Sequence, residues 1–378
     1  MADNNENKVL NVPPLRFPEF TEEWKEEQLD NIATLSKGIG ISKEQLSEDG
    51  EPCILYGELY TKYKSEIIKQ VESKTDINGS KLKRSKANDV IIPCSGETAV
   101  DIATARCVPF DNILFGGDLN VISLHQYDGA FMSYQLNGKR KYDIARVAQG
   151  VSIVHLYGEH LKAIKTYNPT LPEQQKIAKL LSLLDDRIDT QNKIIEKLQS
   201  LIKGLAAQLT QSGTPNIRLC DCLECHSSTL QENCVSVTGS YPVYGATGLI
   251  GYTNNYAYNG ESILIVKDGS GVGSLSYVND HFSVIGTLNY LTAKENYSIL
   301  YLYYALMAFN FTPYITGMAI PHIYFKDYGK AKLFYPSIEK RIRIASLLHN
   351  IEQKLVVEQN LVISLSAQKS YLLRMLFI

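Results

Sequence analysis

Two stretches of the chain place an apolar residue at alternating steps of four and three. The first runs through Ile177, Leu181, Leu184, Ile188, Ile195, Leu198, Ile202, Leu205 and Leu209, with polar Gln191 in its one gap. The second runs through Ile344, Leu348, Ile351, Leu355, Val362, Leu365, Leu372 and Leu376, with Glu358 at the slot of Gln191 and Lys369 at that of Ile202. A seam of this period keeps one helix face turned toward a partner helix over many turns. It predicts long helices over 173–209 and 340–376. Pro172 and Glu173 suit the start of the first, because Pro is tolerated in the opening turn and an acid there meets the positive end of the helix dipole. Gly213 and Pro215 end it. Roughly 38 residues at 1.5 Å each give a rod of about 57 Å. Each helix could instead lie on its own globular domain, but a seam so much longer than an average helix favours pairing of the two. A long folded segment separates them, so either orientation is reachable; an antiparallel pair would place two globular domains at opposite ends.

The two helices belong to a larger internal repeat. When the chain is laid over itself so that Gly150 falls on Gly317, the region up to Leu209 runs over the region up to Leu376 without a gap. Gly150-Val-Ser-Ile-Val-His155-Leu-Tyr157 matches Gly317-Met-Ala-Ile-Pro-His322-Ile-Tyr324. Lys165 falls on Lys332, Pro169 on Pro336, Ile177-Ala178 on Ile344-Ala345, and Leu180-Leu181 on Leu347-Leu348. Ahead of each helix lies a segment of short β-branched or aromatic runs broken by Gly, Asn and Asp, such as Asp89–Pro93, Asn120–Leu124 and Ser262–Val266. Leu119-Asn120 is echoed by Leu288-Asn289, but the two segments otherwise align poorly. The expected organisation is mixed α/β (α+β): a domain at 15–168, a helix at 169–212, a second domain at 213–335 and a second helix at 336–378. It is a duplicated frame carrying two diverged modules.

Composition narrows the classes. The 378 residues suffice for two domains with cores of their own, and 44% hydrophobic with 21% charged residues is ordinary for a globular protein. No stretch approaches the roughly 18–20 apolar residues of a membrane helix. The polar opening, Met-Ala-Asp-Asn-Asn-Glu-Asn-Lys8, lacks the apolar core of a signal peptide. A cytoplasmic location without membrane contact is therefore expected. The seven cysteines agree with it, being odd in number and irregularly spaced. Cys220, Cys222, Cys225 and His226 crowd together and formally match the haem-attachment pattern, and Cys234 could join them at a zinc ion. Haem attachment belongs outside the cytoplasm, and no second CxxC or HxxxH supports zinc. Buried, reduced cysteines and no metal are expected. The net charge of −2 tells against a chain that grips DNA alone, since affinity for phosphates comes mostly from Lys and Arg.

Several motifs, taken together, resemble one family. Leu15-Arg-Phe-Pro-Glu-Phe20 followed by Trp24 and Leu29 resembles the opening of Type I restriction-modification specificity subunits. Pro169-Thr-Leu-Pro-Glu173-Gln-Gln-Lys-Ile177, running into Leu180-Leu181 and Asp185, is similar to their central conserved helix. Tyr241-Pro-Val-Tyr-Gly-Ala-Thr-Gly248 and Asn259-Gly260-Glu-Ser-Ile-Leu-Ile265 resemble one of their target-recognition domains. In one departure, Ile338-Glu-Lys-Arg341 stands where the first copy has Leu171-Pro-Glu-Gln174, which puts the start of the distal helix in doubt. The resemblance implies two target-recognition domains, each reading half of a split site in double-stranded DNA, with the helices paired as an antiparallel coiled coil that spaces them. It implies two methyltransferase subunits docked on the helices, binding S-adenosylmethionine and methylating adenine. It also implies restriction/translocase subunits using ATP and Mg. No cofactor is expected in this chain.

No catalytic constellation appears in the chain. Asn168-Pro-Thr-Leu171 lacks the second Pro and the aromatic of an adenine-methyltransferase motif, and no phosphate loop or HExxH is present. Gly269-Ser-Gly271-Val-Gly273 is Gly-rich without dinucleotide-binding spacing. His155 and His322, one per copy, read as structural. A coiled-coil scaffold or stand-alone DNA-binding regulator, and an enzyme with an unrecognised site, are the competing classes. Candidate DNA contacts in the first domain are Lys81, Lys83, Arg84 and Lys86, and Lys139, Arg140 and Lys141. Ordinary solvated faces are the alternative. In the second domain, where cations are scarce, Tyr244, Gly245 and Thr247 and then Lys267, Asp268 and Ser270 lie in Gly-containing loops that allow close backbone approach; plain hairpins are the alternative.

Overall fold

The computed structural model describes residues 10–378; the polar opening through Val9 lies outside the described residues. It divides into two compact units, Met1–Gln191 with Leu361–Ile378, and Asn192–Asn360. Both seams form single helices, a central one at Leu171–Thr210 and a distal one at Ile338–Met375. Each helix is shared between the two units.

Every seam position is buried or half-buried, including Gln191 and Glu358, while Leu183, Leu201, Leu347, Val357 and Ile363 on the outer faces are exposed. Within the first unit, Ile177 and Leu181 near the start of the central helix pack with Leu376 and Phe377 after the end of the distal one. Within the second unit, Leu205, Ala206 and Leu209 pack with Ile344, Ala345 and Leu348. Start meets end in one unit and end meets start in the other, so the coiled coil is antiparallel.

The doubtful start of the distal helix holds by a substitution of chemistry. Gln174 Nε2 donates to the Pro169 carbonyl at 2.8 Å. At the matching place Arg341 donates to the Pro336 carbonyl at 2.7 Å and lays its guanidinium on the Tyr335 ring at 4.1 Å. Either side chain ties the first turn back to the proline, so the helix needs no second Gln.

Each domain is closed where its chain enters and leaves. Lys25–Gln28 pairs antiparallel with Lys165–Asn168, and Ile217–Arg218 with Lys332–Leu333. The first domain holds a four-stranded antiparallel sheet in the order Ala33–Lys37, Leu119–Leu124, Asp89–Pro93, Arg106–Val108. The second holds a six-stranded sheet in the order Leu223–Ser227, Leu288–Ala293, Tyr258–Val266, Leu275–Val284, Tyr241–Gly245, Gly248–Thr253. The echo Leu119-Asn120 and Leu288-Asn289 opens the matching strand in each. A short helix covers each sheet, Gly129–Asn137 capped by Asp128 and Ile299–Met307 capped by Ser298, whose side-chain oxygens accept backbone N–H groups of the first turn.

Those short helices also join the domains to the rods. Tyr134 donates its hydroxyl to Asp185 on the central helix at 2.7 Å. In the second unit Tyr303 and Tyr304 donate to the two oxygens of Glu352, at 2.9 and 2.7 Å, and Glu352 holds the repeat position of Asp185. In the first unit the joint carries a cation as well: Lys369 reaches both Asp185 and Glu66 at 2.6 Å. Lys369 is thus a neutralising group inside the seam. Its counterpart Ile202 is a buried apolar residue.

Candidate nucleic-acid interface

At the same place in both domains a loop is clamped to the end of a central strand. In the first, the chain turns at Gly150 (φ +123), runs outward and returns through Val154-His155, which pairs with Ser95-Gly96. The Leu156 amide bonds the Cys94 carbonyl at 2.8 Å, and His155 Nδ1 lies 3.2 Å from Ser95 Oγ. In the second, the turn is at Gly317 (φ +88) and the return segment bridges Asp268 to His322. The Gly269 amide donates to the Pro321 carbonyl and the Ile323 amide to the Lys267 carbonyl, both at 2.9 Å. His322 Nδ1 lies 3.1 Å from the Ile320 carbonyl. Both histidines thus make a hydrogen-bonding contact where their loops return.

Only glycine suits the two turns. A Cβ at Gly150 would stand 2.1 Å from the Ile153 carbonyl oxygen, and one at Gly317 2.3 Å from that of Ile320, in addition to the strain of a left-handed backbone. Gly317→Ala is expected to cost about 1–3 kcal/mol locally and to raise hydrogen exchange across 315–324 while leaving the sheet protected. Unchanged exchange there would show that the turn tolerates a side chain.

The sequence candidates divide by what holds them. Lys267, Asp268 and Ser270 lie just past strand Tyr258–Val266, in the segment to which the second loop is clamped, with Lys267 3.5 Å from Asp268 and Ser270 exposed. Thr247 is exposed at the tip of a two-residue hairpin between Tyr241–Gly245 and Gly248–Thr253. Gly245 is buried against Ile250 and Ile285, and the Tyr244 ring packs edge-on to Phe282, with burial raising its hydroxyl pKa. Those two are hairpin scaffolding. In the first domain Lys81 and Lys86 are exposed and Lys83 is half-buried on an edge strand. Arg84 is half-buried and its fork is bidentate to Glu51 at 2.6 and 2.9 Å. Lys139 is exposed and Lys141 half-buried, whereas Arg140 stacks on Tyr167 at 5.3 Å and donates to the Ile378 carbonyl at 3.0 Å. Arg84 and Arg140 thus both have partners within the chain, which leaves each guanidinium fewer donors for phosphate or guanine than the neighbouring lysines have.

The cysteine cluster does not converge. Cys225 and His226 are consecutive on a strand and so face opposite sides of the sheet. His226 stacks on Tyr290 and bonds Thr292. Cys222 donates to backbone carbonyls, and burial pushes its thiol up to about 12 and that of Cys225 to about 11, away from the thiolate a metal needs. Among the described residues no group of three or more His, Cys, Asp or Glu is placed to hold a metal ion, and no helix is long and apolar enough to cross a membrane.

The residues that pattern reading missed are the loop tips. Val151 and Ile153 in the first domain and Met318 and Ile320 in the second stand largely or wholly in solvent. The signal was in the repeat, which superposes the two segments, but an apolar residue in a short window carries no mark of whether it is exposed.

A family model described as the Type I restriction modification DNA specificity domain matches the chain twice, over residues 21–200 and 217–365. The specificity subunit of the EcoprrI Type I restriction enzyme of Escherichia coli is 28% identical over 112 residues, 30% of this chain and 28% of that protein. A putative type I specificity subunit of Mycoplasma pneumoniae is 30% identical over 138 residues, 34% of this chain and 43% of that protein. The matched stretches thus span less than half of these relatives. The crystal structure of a Type I restriction-modification S subunit from M. genitalium shares the fold, with a TM-score of 0.70 at 19% identity over 97% of this chain and 99% of that one.

Proposed function

The chain belongs to the family of the Type I restriction modification DNA specificity domain, and from that premise we propose that it selects a divided DNA target for catalytic partners, each globular domain reading one half. The observation that carries this reading is the duplicated frame holding two diverged domains, each with its own family match. A reader of one continuous site has no use for two different modules on one repeated support. The catalytic work belongs to partners: two methyltransferase subunits using S-adenosylmethionine to methylate adenine, and restriction/translocase subunits using ATP and Mg. The apolar residues left outside the seam, such as Leu183, Leu201, Leu347 and Ile363, offer those methyltransferases a surface on the helices. The net charge of −2 fits as well, because partners can supply further phosphate contacts. The purified chain alone is accordingly expected to bind DNA weakly at physiological salt; tight sequence-specific binding without a partner would contradict that.

The decisive experiment exchanges residues 216–332 for the matching segment of a relative, cutting where strands Ile217–Arg218 and Lys332–Leu333 close the domain. With its methyltransferase, the hybrid should methylate a motif changed in one half only, read by sequencing of methylated adenines. A motif changed in both halves would sink independent reading.

A further inference from the structure

The clamped loops put apolar side chains where folding gains nothing from them. Val151 is 98% exposed and Ile153 60%; Met318 is fully exposed and Ile320 65%. Four residues after Ile153 and after Ile320 stands a half-exposed tyrosine with an ammonium over its ring. Lys37 Nζ lies 5.8 Å from the Tyr157 ring, and Lys326 Nζ 5.1 Å from the Tyr324 ring. The two lysines have different origins. Lys37 ends strand Ala33–Lys37, whereas Lys326 lies in helix Phe325–Tyr328. Both domains thus arrive at one combination of apolar tip, tyrosine and cation, although most of their remaining sequence has diverged.

A feature kept by both modules cannot distinguish one half-site from the other, so it serves something the half-sites share. Two side chains per tip are far too few for the core of a protein–protein interface, which buries about 800 Å² per partner. An isolated apolar finger beside a cation and a phenol suits a duplex: such side chains wedge into a groove or between base steps, and the polar groups beside them hold phosphates. In the first domain Ser152 and Ile153 also border an open cleft of about 720 Å³ with Tyr56, Tyr60, Ser95 and Gly96, leaving the tip free on that side.

We propose that the tips at Val151/Ile153 and Met318/Ile320 are paired, sequence-independent wedges that enter the DNA at equivalent points of the two half-sites, with Tyr157–Lys37 and Tyr324–Lys326 on the adjoining phosphates. This rests on the reading of the chain as a DNA-selecting subunit. The loops are rigidly mounted, because the glycine turn and the histidine return fix both ends. The tips therefore arrive at the duplex already ordered.

Site-directed crosslinking tests it in the full complex with a methyltransferase partner. A benzophenone amino acid in place of Val151, and separately of Met318, should crosslink to DNA on irradiation, at matching offsets in the two half-sites. Crosslinks to the methyltransferase alone, or none, would overturn the proposal. In parallel, V151S/I153S and M318S/I320S should weaken binding about tenfold per loop, the scale of one buried aliphatic side chain. The loss should be equal on target and unrelated DNA, with the methylated motif unchanged. A loss confined to the target, an altered motif, or no loss would each count against sequence-independent wedges. A wild-type complex without any sequence preference would defeat the functional reading itself; wild-type preference with silent loop variants would defeat only this inference.

Discussion

Lys369→Met should destabilise the first unit by about 3–5 kcal/mol, because it strips the cation from two buried carboxylates. Lys369 sits 2.6 Å from both Glu66 and Asp185, whose side chains are only 10% and 6% exposed. Burial works against the charge on Lys369, but the facing carboxylates outweigh it and hold the amine's pKa above its usual 10.5. A raised lysine pKa contributes stability that is complete below about 10.5 and is lost as pH climbs through the folded value. The wild-type unit should therefore loosen only in strong alkali. The variant should behave oppositely. Burial already raises the pKa of Asp185, and without the ammonium its ionised form becomes costlier still. Acidification lets Asp185 take up a proton, so the deficit should shrink as pH falls from 7 toward 5. Denaturant titrations of both proteins across that range would show it. A deficit independent of pH would mean that lost packing of the lysine stem, and not stranded charge, causes the effect. The second unit offers an internal control: at the slot of Lys369 the central helix carries Ile202, so Ile202→Val should cost about 0.5–1.5 kcal/mol with no such pH dependence.

The second large effect concerns the helices as a spacer. Inserting one heptad into each, at matched places in Leu171–Thr210 and Ile338–Met375, keeps the seam in register and lengthens each rod by about 10 Å, or about 3 base pairs of DNA rise. If the rods set the distance between the half-sites, the unread spacer of the methylated motif should grow by that amount while both halves stay the same. Inserting four residues instead turns the stripe away from its partner, and assembly should fail along with spacing. An active heptad-inserted enzyme with an unchanged spacer would show that something other than the helices measures the DNA.

The helices were legible because helical periodicity is local: each seam position depends on neighbours three and four residues away. The repeat was legible for a similar reason, since two gapless copies expose each other. From these came the two rods, the two diverged domains and the strands read at Asp89–Pro93 and Asn120–Leu124, the second of which begins one residue earlier, at Leu119. The start of the distal helix was harder, because Arg341 serves Pro336 through donors different from those Gln174 offers Pro169. The site was legible only in part. Lys267, Asp268 and Ser270 were placed in a loop, which proved to be the one that receives the return segment at His322, whereas the tips beside that segment drew no reading.

What the sequence by itself determined is what a short window encodes: period, breakers, repetition and the absence of catalytic motifs. Tertiary structure alone decided which charged and apolar groups remain available. Arg84 and Arg140 looked like any exposed cations until folding brought Glu51, 33 positions away, and Ile378, 238 positions away, within hydrogen-bonding reach. Val151 and Met318 carry no local mark of exposure, and it is the turns at Gly150 and Gly317 that carry them into solvent. Burial and pairing are sums over everything that surrounds a side chain, and most of those neighbours are distant along the chain.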